Sequence, residues 1–141
     1  SLEGSRGHAL RMMMVFLPEA LFPTDRNAAK LCKKLSGPDS NVIADNAELF
    51  RHWKLLLKNF NNMSISKHDT RKQFSIADYK GIRDETLLII GKYDKFAYYP
   101  ESLKILGDLG MNYEIIEDAG HVANHEFPGL INQKIIEFLT R

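Results

Sequence analysis

Apolar positions follow two different rhythms along this chain. From Ala28 to Phe60 they recur at three- and four-residue steps, as one face of a helix does; beyond residue 85, short unbroken apolar runs take turns with helix-spaced ones. Thr24 is an N-cap residue. Ala28, Leu31 and Leu35 follow at helical spacing, and Ser36-Gly37-Pro38 is a stop, which predicts a helix from Asp25 to Leu35. Its other face carries Lys30, Lys33 and Lys34 and reads as solvated. A second helix is expected to start near Ser40 or Asp45, where Asp45 and Glu48 have the spacing of a capping box. Phe50, Trp53, Leu57 and Phe60 then share one face, widened by Leu49 and Leu56, and Asn59, Asn61 and Asn62 mark the end. Residues 63–78 are polar and aperiodic, with a short helical turn expected after Ser75.

The second rhythm begins at Thr86. Thr86 to Ile90 is apolar without alternation and ends at Gly91, the pattern of a parallel strand covered on both faces. Pro100 opens a helix carrying Leu103, Leu106 and Leu109, closed by Gly110. Tyr113 to Ile116 reads as a second strand. Pro128 then opens a last helix, with Ile131, Ile135, Phe138 and Leu139 on one side. Residues 86–116 are therefore a β-α-β unit with an expected right-handed crossover. The fold class is α/β: helices over residues 1–80, then strand, helix, strand, helix over 81–141. Two parallel strands with bare edges do not sustain a sheet alone. The expectation is that a second copy of the chain or a further part of the fold completes it, and that the isolated chain is a dimer or larger.

Composition narrows the class. With 141 residues, 44% apolar and 26% charged, the chain is suited to a packed domain rather than a disordered tail. A net charge of +1 argues against a non-specific nucleic-acid binder. The apolar run from Met12 to Leu17 is far shorter than the roughly 20 residues of a membrane helix. A single cysteine, Cys32, excludes an internal disulfide and reads as a small buried residue. A cytoplasmic location is expected. The balance hides an asymmetry: residues 1–80 hold 13 Lys and Arg against 8 Asp and Glu, and residues 81–141 hold 6 against 10. The basic half weakly favours tolerance of an anionic group.

Two polar residues stand just past the ends of the two predicted strands: Asp94 after the first and His121 after the second. In α/β sheets, catalytic groups gather at the carboxyl ends of strands. Parallel neighbours lie about 4.8 Å apart, close enough for the two loops to meet. A carboxylate that fixes a histidine tautomer and stabilises its imidazolium is the acid–base half of a nucleophilic site. Each residue alone reads as an ordinary loop residue; their joint placement favours the pair. Lys92 and Lys95 would favour an ionised Asp94 if close. His121 and His125 lack the order of a metal-binding helix motif, so no metal and no cofactor are expected.

Residues 82–141 resemble the C-terminal end of an α/β-hydrolase of the esterase type. Thr86 to Asp94 is similar to that family's penultimate strand with its G-x-x-D turn. Glu114 to His121 is similar to its last strand and Gly-His, and Asn124 to Pro128 with the closing helix to its end. The resemblance implies that Asp94 is the triad acid and His121 the base. It also implies that residues 1–80 are a cap-like helical region and 81–141 a C-terminal part of the core. The family's nucleophile lies in G-x-S-x-G on a strand–helix turn. That motif does not occur here, and Ser5 in Glu3-Gly4-Ser5-Arg6-Gly7 lacks its first glycine and its strand. The expected protein is thus the C-terminal portion of a hydrolase acting on a small carboxylic ester, inactive as isolated, with Phe50, Trp53 and Leu57 as substrate-pocket walls. The rival readings are a non-catalytic interaction module of the same fold and a parent of the dehalogenase or epoxide-hydrolase type.

Overall fold

A computed structural model of the chain describes residues 6–22, 24–59 and 76–141. Helices α1 (Arg6–Leu21), α2 (Asp25–Leu35), α3 (Val42–Asp45) and α4 (Ala47–Asn59) come first. Helix α5 (Ile76–Ile82) and a 3-10 turn (Arg83–Glu85) lead into β1 (Leu87–Gly91), α6 (Pro100–Leu109), β2 (Asn112–Ile116), α7 (Ala123–Glu126) and α8 (Pro128–Leu139). The expected α/β character and β-α-β-α order are both present. Phe60, Ser5 and most of the polar stretch 63–78 lie outside the described residues.

β1 and β2 pair in parallel, Leu87 opposite Asn112 through Gly91 opposite Ile116. Successive side chains on a strand point to opposite faces, and the packing follows that rule. Leu88, Ile90 and Ile115 face α6, whose Leu106 and Leu109 complete a buried cluster with Met111 just past the helix. Ile89 and Ile116 face the other way, onto Ala119, Ala123, Phe127 and Ile131. This two-sided cover is why β1 does not alternate in sequence. At the edges cover runs out. Leu87, Leu88 and Ile89 are only half-buried, and β1 and β2 are each other's only strand neighbours among the described residues. Ile135, Phe138 and Leu139 of α8 line an open groove with Leu87 and Ile89; of the expected α8 stripe, Ile131 alone is buried.

The local signals behave as their chemistry requires. The Thr24 hydroxyl accepts from Asn27 N at 3.2 Å and starts α2. Pro100 and Pro128 sit in first turns, where no amide hydrogen is needed. Gly110 ends α6 at φ 64°, a left-handed conformation that costs glycine least. The expected capping box is different. Asp45 closes the four-residue α3, and it is Asn46 Oδ1 that accepts from Glu48 N and Leu49 N, at 3.1 and 3.0 Å, to open α4. Asn46 is as good a cap as aspartate, and its extended backbone separates the two helices. Leu56 does not widen the α4 stripe: it is 63% exposed.

Helix α1 had no periodic signature. It carries Pro18 internally, which removes one helical hydrogen bond. Lys34 fastens it to α2, donating to Val15 O at 2.7 Å and to the Glu19 carboxylate at 2.6 Å. That bond holds the Glu19 carboxyl below its ordinary range. Lys33 turns to Pro38 O and Ser40 O. The lysine face of α2 is therefore partly used in packing rather than wholly solvated.

Candidate acid–base site

Asp94 stands in the turn after β1, and its backbone belongs to that turn: its N–H donates to Gly91 O at 2.9 Å and its carbonyl accepts from Tyr98 N at 2.8 Å. The two carboxylate oxygens divide their duties. Oδ1 accepts from Phe96 N at 2.8 Å and Ala97 N at 3.3 Å, which orders the turn as aspartate commonly does. Oδ2 lies 3.0 Å from His121 Nδ1. The structural and chemical readings of Asp94 thus hold together, one oxygen each.

Asp94 is buried, whereas the His121 side chain is 48% exposed. An ionised carboxylate only accepts hydrogen bonds, so Nδ1 carries the proton and Nε2 keeps its lone pair. The bond to Asp94 raises the pKa of His121 above 6.5, with partial burial opposing and the carboxylate's charge assisting. Such a histidine takes a proton readily through Nε2 and is stabilised once charged.

The backbone around His121 is held by contacts across long stretches of sequence. His121 N–H donates to Leu35 O, the last residue of α2, at 2.7 Å. Gly91, Gly120 and Gly37 come together so closely that side chains are excluded. A Cβ on Gly91 would overlap Gly120 O; one on Gly120 would overlap Leu35 O; one on Gly37 would overlap Asp118 O. Each obstacle is backbone, which cannot rotate away.

An aromatic wall stands beside the imidazole. Phe96 and His121 have ring centroids 4.9 Å apart, and Phe16 of α1 stacks on Phe96 at 4.7 Å and 12°. Sequence reading passed over both rings. Phe96 lies in an aperiodic turn, though its place two residues after Asp94 is a usable signal.

The expected pocket walls sit elsewhere in the packing. Phe50, Trp53 and Leu57 share the half-buried face of α4, and Trp53 Nε1 donates to Ala28 O of α2 at 3.2 Å. Among the described residues no hydrogen bond or ring contact joins them to Asp94 or His121. Lys92 does not turn to Asp94 but pairs with Glu117, which raises its own pKa. Cys32 is buried, and burial pushes its thiol up to about 11, leaving it protonated and inert at neutral pH. No three His, Cys, Asp or Glu side chains among the described residues cluster as metal ligands would, and no helix among them is long and apolar enough to cross a membrane.

Comparison with known proteins adds to the fold. The sequence matches no family model, and it matches no curated protein. Among solved structures, the crystal structure of carboxylesterase CesB (YbfK) from Bacillus subtilis is similar, with a TM-score of 0.57 and 22% sequence identity over 87% of this chain and 44% of that one. At that identity the likeness is one of fold. The chain spans less than half the length of that esterase. The molecule therefore has an α/β fold similar to part of that structure.

Proposed function

We propose that Asp94 and His121 are the acid and base of a serine-type hydrolytic triad acting on a small carboxylic ester, the serine coming from chain beyond these 141 residues. The observation that carries this reading is the 3.0 Å approach of a buried carboxylate to Nδ1 of a half-exposed histidine, past the ends of adjacent parallel strands. Nε2 takes the proton of the serine hydroxyl as its oxygen attacks the ester carbonyl. The imidazolium, stabilised through Nδ1 by Asp94, then gives that proton to the departing alcohol. Water enters, loses a proton to Nε2 and releases the acid, and the serine regains its hydrogen.

Phe96 and Phe16 are the nearer wall for the substrate's apolar part. A more distant wall from Phe50, Trp53 and Leu57 belongs to the same proposal, reached through α2, against which α4 packs. Residues 1–80 serve as the cap in this scheme and 81–141 as the closing part of the core. The groove of Leu87, Ile89, Ile135, Phe138 and Leu139 is covered by the rest of the fold or by a second copy. In line with that, the isolated chain is expected to exceed monomer mass in light scattering at micromolar concentration. A clean monomer removes the self-pairing.

The isolated chain is expected to hydrolyse short-chain nitrophenyl esters no faster than background. The decisive test is the coding sequence upstream of Ser1. A strand followed by G-x-S-x-G supports the reading, and in the longer protein His121→Ala should cut kcat by about 10⁴-fold or more. Full turnover in that variant, or an upstream sequence with no hydrolase character, sinks it.

A further inference from the structure

Glu126, on the short α7, is not used by the acid–base scheme, yet its carboxylate joins two distant strands of backbone. Oε1 accepts from Gly37 N at 2.6 Å, and Oε2 accepts from Gly120 N at 2.7 Å. Gly37 lies just past α2, two residues beyond the Leu35 carbonyl that receives the His121 amide. Gly120 immediately precedes His121. Because the glycines meet backbone to backbone, no side chain of their own fills the space between them. Two N–H groups pointing into that space need an acceptor, and an unpaired buried donor is costly. A carboxylate has one oxygen for each and binds both with charge-assisted hydrogen bonds.

We infer that Glu126 is the positioning residue for His121, clamping Gly120 to Gly37 so that the imidazole is aimed at Asp94. The inference rests on the acid–base reading of the pair, and it concerns geometry rather than charge. Asp94, not Glu126, is the carboxylate that acts on the His121 titration.

Glu126→Asp and Glu126→Gln separate the two effects. Aspartate keeps the charge but is one methylene too short to span both amides. Glutamine keeps the length but offers a single acceptor oxygen. NMR of the 141-residue chain gives the His121 pKa and the Nδ1–H signal; amide exchange gives the protection of Gly37 and Gly120. Both variants are expected to lower the His121 pKa toward 6.5. They should also speed exchange at one or both glycine amides about 10-fold, the scale of one lost hydrogen bond to a charged group. Lys104→Ala, which removes an exposed pair with Asp108 on α6, should change neither.

An unchanged His121 pKa and Nδ1–H signal in both Glu126 variants overturns the inference, even if overall stability falls, since a purely structural role would do that alone. A shift in Glu126→Gln without one in Glu126→Asp also overturns it, by showing that charge and not geometry matters. Failure of the hydrolase reading would look different: His121 would respond to both variants as described, but the longer protein would show no ester turnover.

Discussion

The two halves of this chain keep their apolar residues in different ways. Residues 76–141 bury Ile90, Leu106, Leu109, Met111 and Ile116 in clusters on both faces of a sheet. Among the described side chains, residues 6–59 bury Ala28, Leu31, Cys32, Leu35 and Ile43 without a sheet to pack on and expose Leu10, Met14, Leu21, Phe22, Leu55 and Leu56, as residues 76–141 also expose Ile135, Ile136 and Leu139 of α8. One half is organised around a core of its own. The other is a set of helices hydrogen-bonded to that half through the segment Leu35–Gly37, seated against the loop that bears His121. The candidate site lies at this junction, with its acid and base on the well-packed half and their backbone support on the other. Precision of a side-chain pair can thus depend on a region that contributes neither side chain of the pair.

The junction is where the comparison breaks most easily. Gly120→Val puts a side chain into the backbone of Leu35 to Gly37. It should cost about 3 kcal/mol or more and loosen both halves together. Thermal unfolding measures this, and a cost within about 0.5 kcal/mol would show that the halves are not joined there. Next in size is Leu106→Ala, which empties a position 1% exposed and should cost about 2–5 kcal/mol. The matching change in the helical half, Leu56→Ala, should stay within about 0.5 kcal/mol. Equal costs would erase the distinction drawn above.

The pH dependence tests the junction more finely. Because the folded-state pKa of His121 is raised above 6.5, its pairing with Asp94 stabilises the fold fully below about 6.5. That contribution fades as pH rises through the folded pKa. The stability difference between the native chain and His121→Ala should therefore shrink from pH 5.5 to pH 8.5, a window of about three units chosen to span the titration. Denaturant melts at the two ends would show it, and a difference that grows with pH contradicts the assignment. Under the proposed hydrolytic role, the same raised pKa would place the acidic limb of an activity profile above 6.5, since Nε2 must be free to accept a proton. A local effect is expected from Lys34→Ala. It should loosen α1 on α2 at about 1 kcal/mol and shift the Phe96 ring resonances, because Phe16 of α1 stacks on Phe96.

Much of the second half is legible in sequence. Thr86 to Ile90 and Tyr113 to Ile116 differ from the observed strands by a residue at their ends, and Pro100, Gly110 and Pro128 fall where their backbone chemistry puts them. Asp94 and His121 are legible as well, because strand ends can be counted. Helix α1 was not. Its apolar residues Met12 to Leu17 are consecutive rather than spaced, and Pro18 argues against a helix there, so tertiary attachment through Lys34 outweighs a weak local preference. Phe96 and Phe16 were missed because nothing in local spacing relates residues 80 positions apart.

By itself the sequence determined the period of α2, α4, α6 and α8, the caps and stops at Thr24, Pro100, Gly110 and Pro128, the α/β order and the two polar residues past the strands. All of these depend on a residue and its neighbours within a turn or a pleat. Only the tertiary structure decided what holds His121 in place. The Glu126 bond to Gly37 spans 89 residues and the His121 bond to Asp94 spans 27. Such contacts exist only once the sheet has brought the loops together, and no local preference encodes them.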